Sequence, residues 1–265
     1  MSGTQDGYRI RAVVRAAQIL DLLRGVEGGA TLNDLAVGAE LPKPSTFWML
    51  RTLEELGLVE RVRETDRWRL GVRCLELGQA YLEQVDLRRE ARPVMEHLRN
   101  EVDETVHLAL LDDRLRVVYL EKLETTQAVG VMMSRVGRTA PSYCTGIGKA
   151  LLAAYPGDPA GILAASGELK RYTPNTIDDP DELRAELARI RARGYATDLE
   201  EHEPGVRCAA AVIVAPGSGP TAALSVAGPA HRIAEAEVHG RLAAAVVAAA
   251  REVGRRMGTS EEVSA

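Results

Sequence analysis

Apolar residues near the start of the chain recur at spacings of three and four. Ile10, Val13, Val14, Ala17, Leu20 and Leu23 form one stripe that ends at Gly28-Gly29, which predicts an amphipathic helix. Thr31, with Asp34 three places on, makes a capping-box-like start for a short helix that presents Leu32 and Leu35 and stops near Gly38. Leu41-Pro42-Lys43-Pro44 reads as a turn whose prolines pre-set φ for a third helix, Ser45 to Leu56, with Leu50, Leu53 and Leu56 inward and Gly57 as terminator. Leu58 to Arg63 and Arg67 to Leu70 then flank the polar turn Glu64-Thr65-Asp66. Their alternation puts Val62, Trp68 and Leu70 on one face and Arg61, Arg63, Arg67 and Arg69 on the other. Two helices joined by a short turn and followed by a basic hairpin predict a winged helix-turn-helix, whose second helix enters the major groove of duplex DNA.

Residues 74–102 read as helical with short interruptions, with Pro93 placed where a second helix could start after Asp86. Beyond them, β-rich runs (Thr105 to Leu111, Arg116 to Glu121, Ala128 to Ser134, Arg207 to Ala215, Thr221 to Ala227) alternate with helical stretches at about 146–155, 180–193 and 231–257. Asp178-Asp179-Pro180-Asp181-Glu182 supplies a cap, an N1 proline and dipole-matching acids for one of these helices. The pattern predicts an α+β protein with a DNA-binding domain over 8–73, a linker helix over 74–88, and a second domain over 89–258 with a mainly antiparallel sheet.

Composition agrees with two folded domains: 265 residues, 46% hydrophobic and 27% charged, which argues against long disorder, collagen or a coiled-coil rod. The longest apolar run, Leu242 to Ala250, is nine residues, against the ~18 a membrane span requires. The first twenty residues carry scattered charges in place of a signal peptide's apolar core, so a cytoplasmic location is expected. Cys74, Cys144 and Cys208 are far apart with no C-x-x-C pair, the pattern of free thiols. The net charge of −5 hides an asymmetry, since residues 1–75 carry 11 Lys+Arg against 10 Asp+Glu.

On the third helix, Ser45, Thr46, Trp48 and Arg51 are expected to face outward, with Lys43 and Pro44 at its start and free N–H groups for a phosphate. Arg61 and Arg67 of the hairpin would neutralise backbone phosphates, although a basic face can also simply be solvated. Trp48 either reaches a sugar or thymine methyl or packs sideways onto the first helix. In the second half, Cys144-Thr145-Gly146-Ile147-Gly148 opens a helix whose amides and dipole favour a carboxylate. It is no Walker A loop, because Ala150 follows Gly148-Lys149 and Tyr143 holds the earlier glycine position. His107 reads as a core histidine, and Glu200, Glu201 and His202 as solvated groups in preference to metal ligands.

Several long motifs carry a family resemblance. LPKPSTFWMLRTLEELGLVER resembles the recognition-helix segment of the IclR family of bacterial transcriptional regulators, and WRLGVRCLELGQAYL its wing-to-linker passage. ETVHLALL, SRVGRTAPSYCTGIGKALLA, RYTPNTI, RGYATDLEEHEPGVRCAAAVIV and AALSVAGP resemble the family's second half, in the expected order. The resemblance implies a GAF-like domain that binds a small organic acid (aliphatic, aromatic or sugar acid) and contributes to a homodimer or dimer of dimers, more often in a repressor. It places effector contacts at Asp198, Cys208 and Ser225, with Gly146 and Ile147 at the helix start and Val131 and Met133 as apolar wall. Ala227 stands where some relatives have a second Ser, implying a different or less polar effector. Trp48-Met49 stands where the family often has Arg followed by Leu, so that DNA contact is missing or moved to Arg51. No metal, cofactor or catalytic residue is expected. Two rivals are weighed: a redox or metal sensor using Cys144 and Cys208, and an enzyme with Cys208 as nucleophile, His107 or His202 as base and Asp198 as orienter, which the sequence helps little because it holds no nucleophile-elbow, H-E-x-x-H or Gly-rich phosphate motif.

Overall fold

The computed structural model describes residues 10–84, 86–125, 134–214 and 222–263, and the chain divides into two compact units at Leu82/Glu83. In the first unit, α1 (Arg11–Arg24) is followed by α2 (Leu32–Gly38), which opens with the full capping box between Thr31 and Asp34. The third helix, α3 (Lys43–Glu55), begins two residues before the expected Ser45. Pro44 lies in its first turn, where the missing N–H costs nothing, so Lys43 and Pro44 belong to the helix and not to the turn. β1 (Val59–Val62) and β2 (Arg67–Leu70) form the hairpin, and α4 (Val72–Gln84) follows. Ile19, Leu23, Leu35, Leu50, Leu53, Val59 and Trp68 make the core of this unit.

The hairpin register corrects the face assignment. Arg61 pairs with Trp68 and Val62 with Arg67, and directly opposed residues share a face. Arg61 therefore lies on the Trp68 side, its guanidinium 5.9 Å from the indole centroid, and Val62 on the side of Arg67 and Arg69. The four-residue turn sets this register, and period-two counting along each strand alone does not fix it.

The second unit is built on a six-stranded, wholly antiparallel sheet in the order β5-β4-β3-β8-β7-β6. Its strands are β3 (Thr105–Leu111), β4 (Val117–Leu123), β5 (Thr139–Ala140), β6 (Ala196–Leu199), β7 (Val206–Ile213) and β8 (Ala222–Pro229). One face packs on α6 (Gly146–Ala154), itself flanked by α7 (Pro159–Ala165) and α8 (Pro180–Arg193). The other carries α5 (Asp86–Val102) and the C-terminal helix, in which α9 (Glu235–Glu237), a π turn (Val238–Leu242) and α10 (Ala243–Val263) run on continuously. Pro93 lies inside α5 and does not start it. The buried stripe of Leu87, Ala91, Val94, Met95 and Leu98 outweighs the hydrogen bond the proline removes. The expected strand Ala128 to Ser134 falls, up to residue 133, outside the described residues, as do Val131 and Met133. No helix among the described residues is long and apolar enough to cross a membrane.

Candidate functional site

Strand register brings the candidate pocket together. On the α6 face of the sheet, Asp198 pairs with Cys208 and Cys208 with Ala227, while Ser225 pairs with His107. The start of α6 lies over this row: a Cβ on Gly146 would meet Cys208 Sγ at 2.8 Å, so glycine is what allows the helix end to approach. Gly146, Ile147, Asp198, Cys208 and Ser225 thus line one solvent-open pocket, about 420 Å³ of empty space with the open solvent included, together with His107, Tyr119, Thr145, His202 and Glu203. A second open pocket, lined by Arg138 and Tyr172 among others, shares Tyr119, Ser134, His202 and Glu203 with the first.

The polar groups here are buried and their chemistry is altered accordingly. Asp198 is 4% exposed, and burial, reinforced by the nearby Glu201 charge, raises its carboxyl pKa to about 8. One oxygen caps the β6–β7 turn by accepting the Glu201 N–H at 2.7 Å. The turn cap and the pocket group are therefore the same side chain, and at neutral pH it can donate a hydrogen bond. Burial and the neighbouring Asp198 also push the Cys208 thiol well up, leaving a small weak donor and no thiolate. His107 is held neutral, its pKa lowered to about 3 by burial and by Lys122. Its Nε2 is 2.8 Å from Ser134 Oγ and its Nδ1 3.4 Å from Ser225 Oγ. It is buried as a core histidine would be, and it also forms pocket wall.

Thr145 caps α6 by position only, because its hydroxyl donates to Pro141 O at 2.8 Å. The α6 start consequently has no side-chain cap, and its first residues, Gly146 and Ile147, line the pocket. Behind this end, Lys149 on α6 is 1% exposed and its Nζ donates to Glu201 Oε2 at 2.6 Å. Glu201 is thus buried and paired, which corrects its reading as a solvated acid. Glu200 turns instead to Arg207 at 3.2 Å, and no His/Cys/Asp/Glu cluster able to hold a metal occurs among the described residues. Tyr119 and Glu203 carry no sequence signal for this pocket, since only the fold of distant strands brings them here; Thr145 comes with the α6 start, and His202, read from sequence as a solvated group, is pocket wall.

The first unit presents a different surface. Thr46 is fully buried with its hydroxyl on Pro42 O at 3.2 Å, contrary to the expected outward position. It lies four and seven residues before Leu50 and Leu53, which puts it on the core face. Lys43, Pro44, Ser45, Trp48 and Arg51 are exposed on α3, and Trp48, at 69% exposure, meets Phe47 edge-on with centroids 5.6 Å apart and does not pack onto α1. Arg51 pairs with Glu54 at 2.7 Å. On the hairpin, Arg61 bonds Asp66 through Nε at 2.7 Å, Arg69 pairs with Glu60 at 2.5 Å, and Arg67 Nη1 donates to Gly29 O at 2.8 Å. Much of the basic hairpin is therefore neutralised or tied to its own fold.

Comparison with known proteins adds to this geometry. Residues 12–63 match the IclR helix-turn-helix domain and residues 79–255 the C-terminal domain of bacterial transcriptional regulator IclR. The chain is 36% identical over 252 residues to the HTH-type transcriptional regulator BhcR of Paracoccus denitrificans, covering 95% of this chain and 88% of that protein. It is 32% identical over 246 residues to the transcriptional repressor IclR of Escherichia coli, covering 92% and 89% of the two. A crystal structure of an IclR homolog from Microbacterium hydrocarbonoxydans complexed with 4-hydroxybenzoate superposes with a TM-score of 0.76 at 27% identity, over 94% of this chain and 99% of that one.

Proposed function

This chain belongs to the IclR family of bacterial transcriptional regulators, and from that premise we propose that it is a homo-oligomeric repressor whose operator affinity is set by a small organic acid. In this reading residues 8–73 bind DNA, 74–88 link, and 89–258 hold the effector and the oligomer contacts. Two copies place their α3 helices in major grooves about one helical turn, ~34 Å, or a multiple apart on a roughly palindromic operator. Lys43, Pro44, Ser45, Trp48 and Arg51 carry the contacts of α3, with Arg61 and Arg67 flanking. Thr46 is excluded by its burial.

The observation that carries the effector half is the arrangement at the head of the pocket. An acid's carboxylate is met by the uncapped amides of α6 at Gly146 and Ile147 and by a neutral Asp198 able to donate, with Cys208 and Ser225 beside it. The repressor named for Escherichia coli and the neighbour holding 4-hydroxybenzoate support the same reading. Control of DNA requires the acid to bind two conformations unequally, since equal affinity shifts nothing. A cysteine enzyme or thiol sensor is disfavoured because burial raises both the Cys144 and Cys208 thiols, opposite to what a nucleophile or redox thiol needs.

A gel-shift titration on the DNA upstream of its own gene, at fixed salt and with a panel of aliphatic, aromatic and sugar acids, tests the proposal. The expected result is a specific shift that one class of acid releases. A shift indifferent to every acid contradicts the effector half, and no specific shift contradicts the DNA half.

A further inference from the structure

The solvent face of α3 sets two adjacent exposed aromatic side chains among its polar groups. Arg51 shares a solvated, exchangeable pair with Glu54 at 2.7 Å, the Thr52 hydroxyl donates to Trp48 O at 3.0 Å, and Thr46 is buried. Ser45 keeps a free hydroxyl among the described contacts. Against this stand Trp48, 69% exposed, and Phe47, 36% exposed, braced edge to face. Exposed tryptophan normally loses its apolar surface to something. Within this unit Trp68 illustrates the contrast, being buried at the hairpin's root.

In a B-form major groove each base pair offers hydrogen-bonding atoms, and the only apolar group on a base edge is the C5-methyl of thymine. A protruding indole, with the Lys43 charge and the free N–H groups of the α3 start on the same helix, therefore has one matching feature there. Resting on the DNA-binding reading above, we propose that Trp48 is a specificity-determining residue that reads thymine through its methyl group, with Phe47 bracing the indole by the edge-to-face contact of the two rings. The operator half-site then owes part of its sequence to hydrophobic contact at one or two T·A pairs, beside whatever contact Arg51 makes.

Replacing thymine by deoxyuridine removes the methyl and leaves every hydrogen-bonding atom in place. The full-length protein is first used to select a binding sequence from a random duplex library. Each thymine of the selected site is then replaced in turn by deoxyuridine, and affinities are measured for wild type, Trp48→Phe and Trp48→Ala, each checked for native melting. Burial of one methyl predicts about a fourfold loss for wild type at the contacted thymine, a smaller loss for Trp48→Phe, and none for Trp48→Ala. Equal losses for wild type and Trp48→Ala overturn the assignment, as does a site with no uracil-sensitive position. A change of oligomeric state in Trp48→Ala with unchanged uracil sensitivity also overturns it, by making the indole a contact between copies. If wild type selects no sequence at all, the DNA-binding reading fails first.

Discussion

The α3 and hairpin surface and the sheet pocket both carry charged and polar groups, yet water divides them into different regimes. On α3 and the hairpin, Arg51–Glu54, Arg61–Asp66 and Arg69–Glu60 are all substantially solvated pairs. Each is worth little and is screened by salt, so these groups can exchange their partners for phosphates at small cost. In the pocket Asp198 and His107 are buried, as are Lys149 and Glu201 behind it, and there an unpaired charge costs far more than a pair returns. One surface is suited to a long polyanion read under salt control. The other is suited to one small acid whose protonation and fit matter.

The contrast breaks most visibly at Lys149. Lys149→Met should leave Glu201 buried without its cation and destabilise the second unit by ~3–5 kcal/mol, seen as a lowered thermal midpoint. Lys149→Met combined with Glu201→Leu should recover much of the loss. If Lys149→Met melts like wild type, the pocket's electrostatics are no different in kind from the hairpin's.

Asp198→Asn sharpens the same contrast through pH. The folded carboxyl titrates at about 8 against an ordinary 3.8, so the folded protein holds this proton more tightly than the unfolded chain. Its contribution to stability is complete below pH ~4 and is lost as pH rises to about 8, with a slope of up to ~1.4 kcal/mol per pH unit. Denaturant midpoints across that range should fall with pH in wild type more steeply than in Asp198→Asn. Parallel profiles would mean that the carboxyl is ionised throughout.

Smaller effects belong to the first unit. Thr31→Ala removes half of the capping box at α2, where the Asp34 N–H bonds Thr31 Oγ1 at 3.2 Å, and should cost ~1 kcal/mol independently of pH near neutrality. Glu54→Ala, which frees Arg51, should change stability by no more than ~0.5 kcal/mol. It should also strengthen DNA binding at low salt more than at high salt, measured by fluorescence anisotropy. A stability loss of several kcal/mol would show that the exposed pair is more than a surface pair.

Legibility in the sequence followed range. Helix starts at Thr31 and at Asp179-Pro180, and the strand over Thr105 to Leu111, rest on neighbours a few residues apart and match the structure. The Asp158-Pro159 start of α7 has the same local signature and could have been read. Thr46 was misplaced by a count that ignored its spacing to Leu50 and Leu53, and Arg61 by a register that the hairpin turn sets. Asp198, Cys208 and Ser225 came from resemblance and not from periodicity. Their grouping depends on strands β6, β7 and β8 lying side by side. The His107–Ser225 approach and the Lys149–Glu201 pair join residues 118 and 52 positions apart, and no local pattern announces either.

An acid bound beneath the start of α6 is thus expected to govern what α3 does on DNA, and operator release by the effective acid in wild type and in Asp198→Ala, side by side at one salt concentration and at pH 7, tests this. Asn would keep both a donor and an acceptor at this position, whereas Ala removes both. Both proteins should bind the operator alike without acid, and only wild type should be released at low acid concentration. Equal release from both would overturn the effector role of Asp198, and loss of operator binding in Asp198→Ala alone would make that role structural.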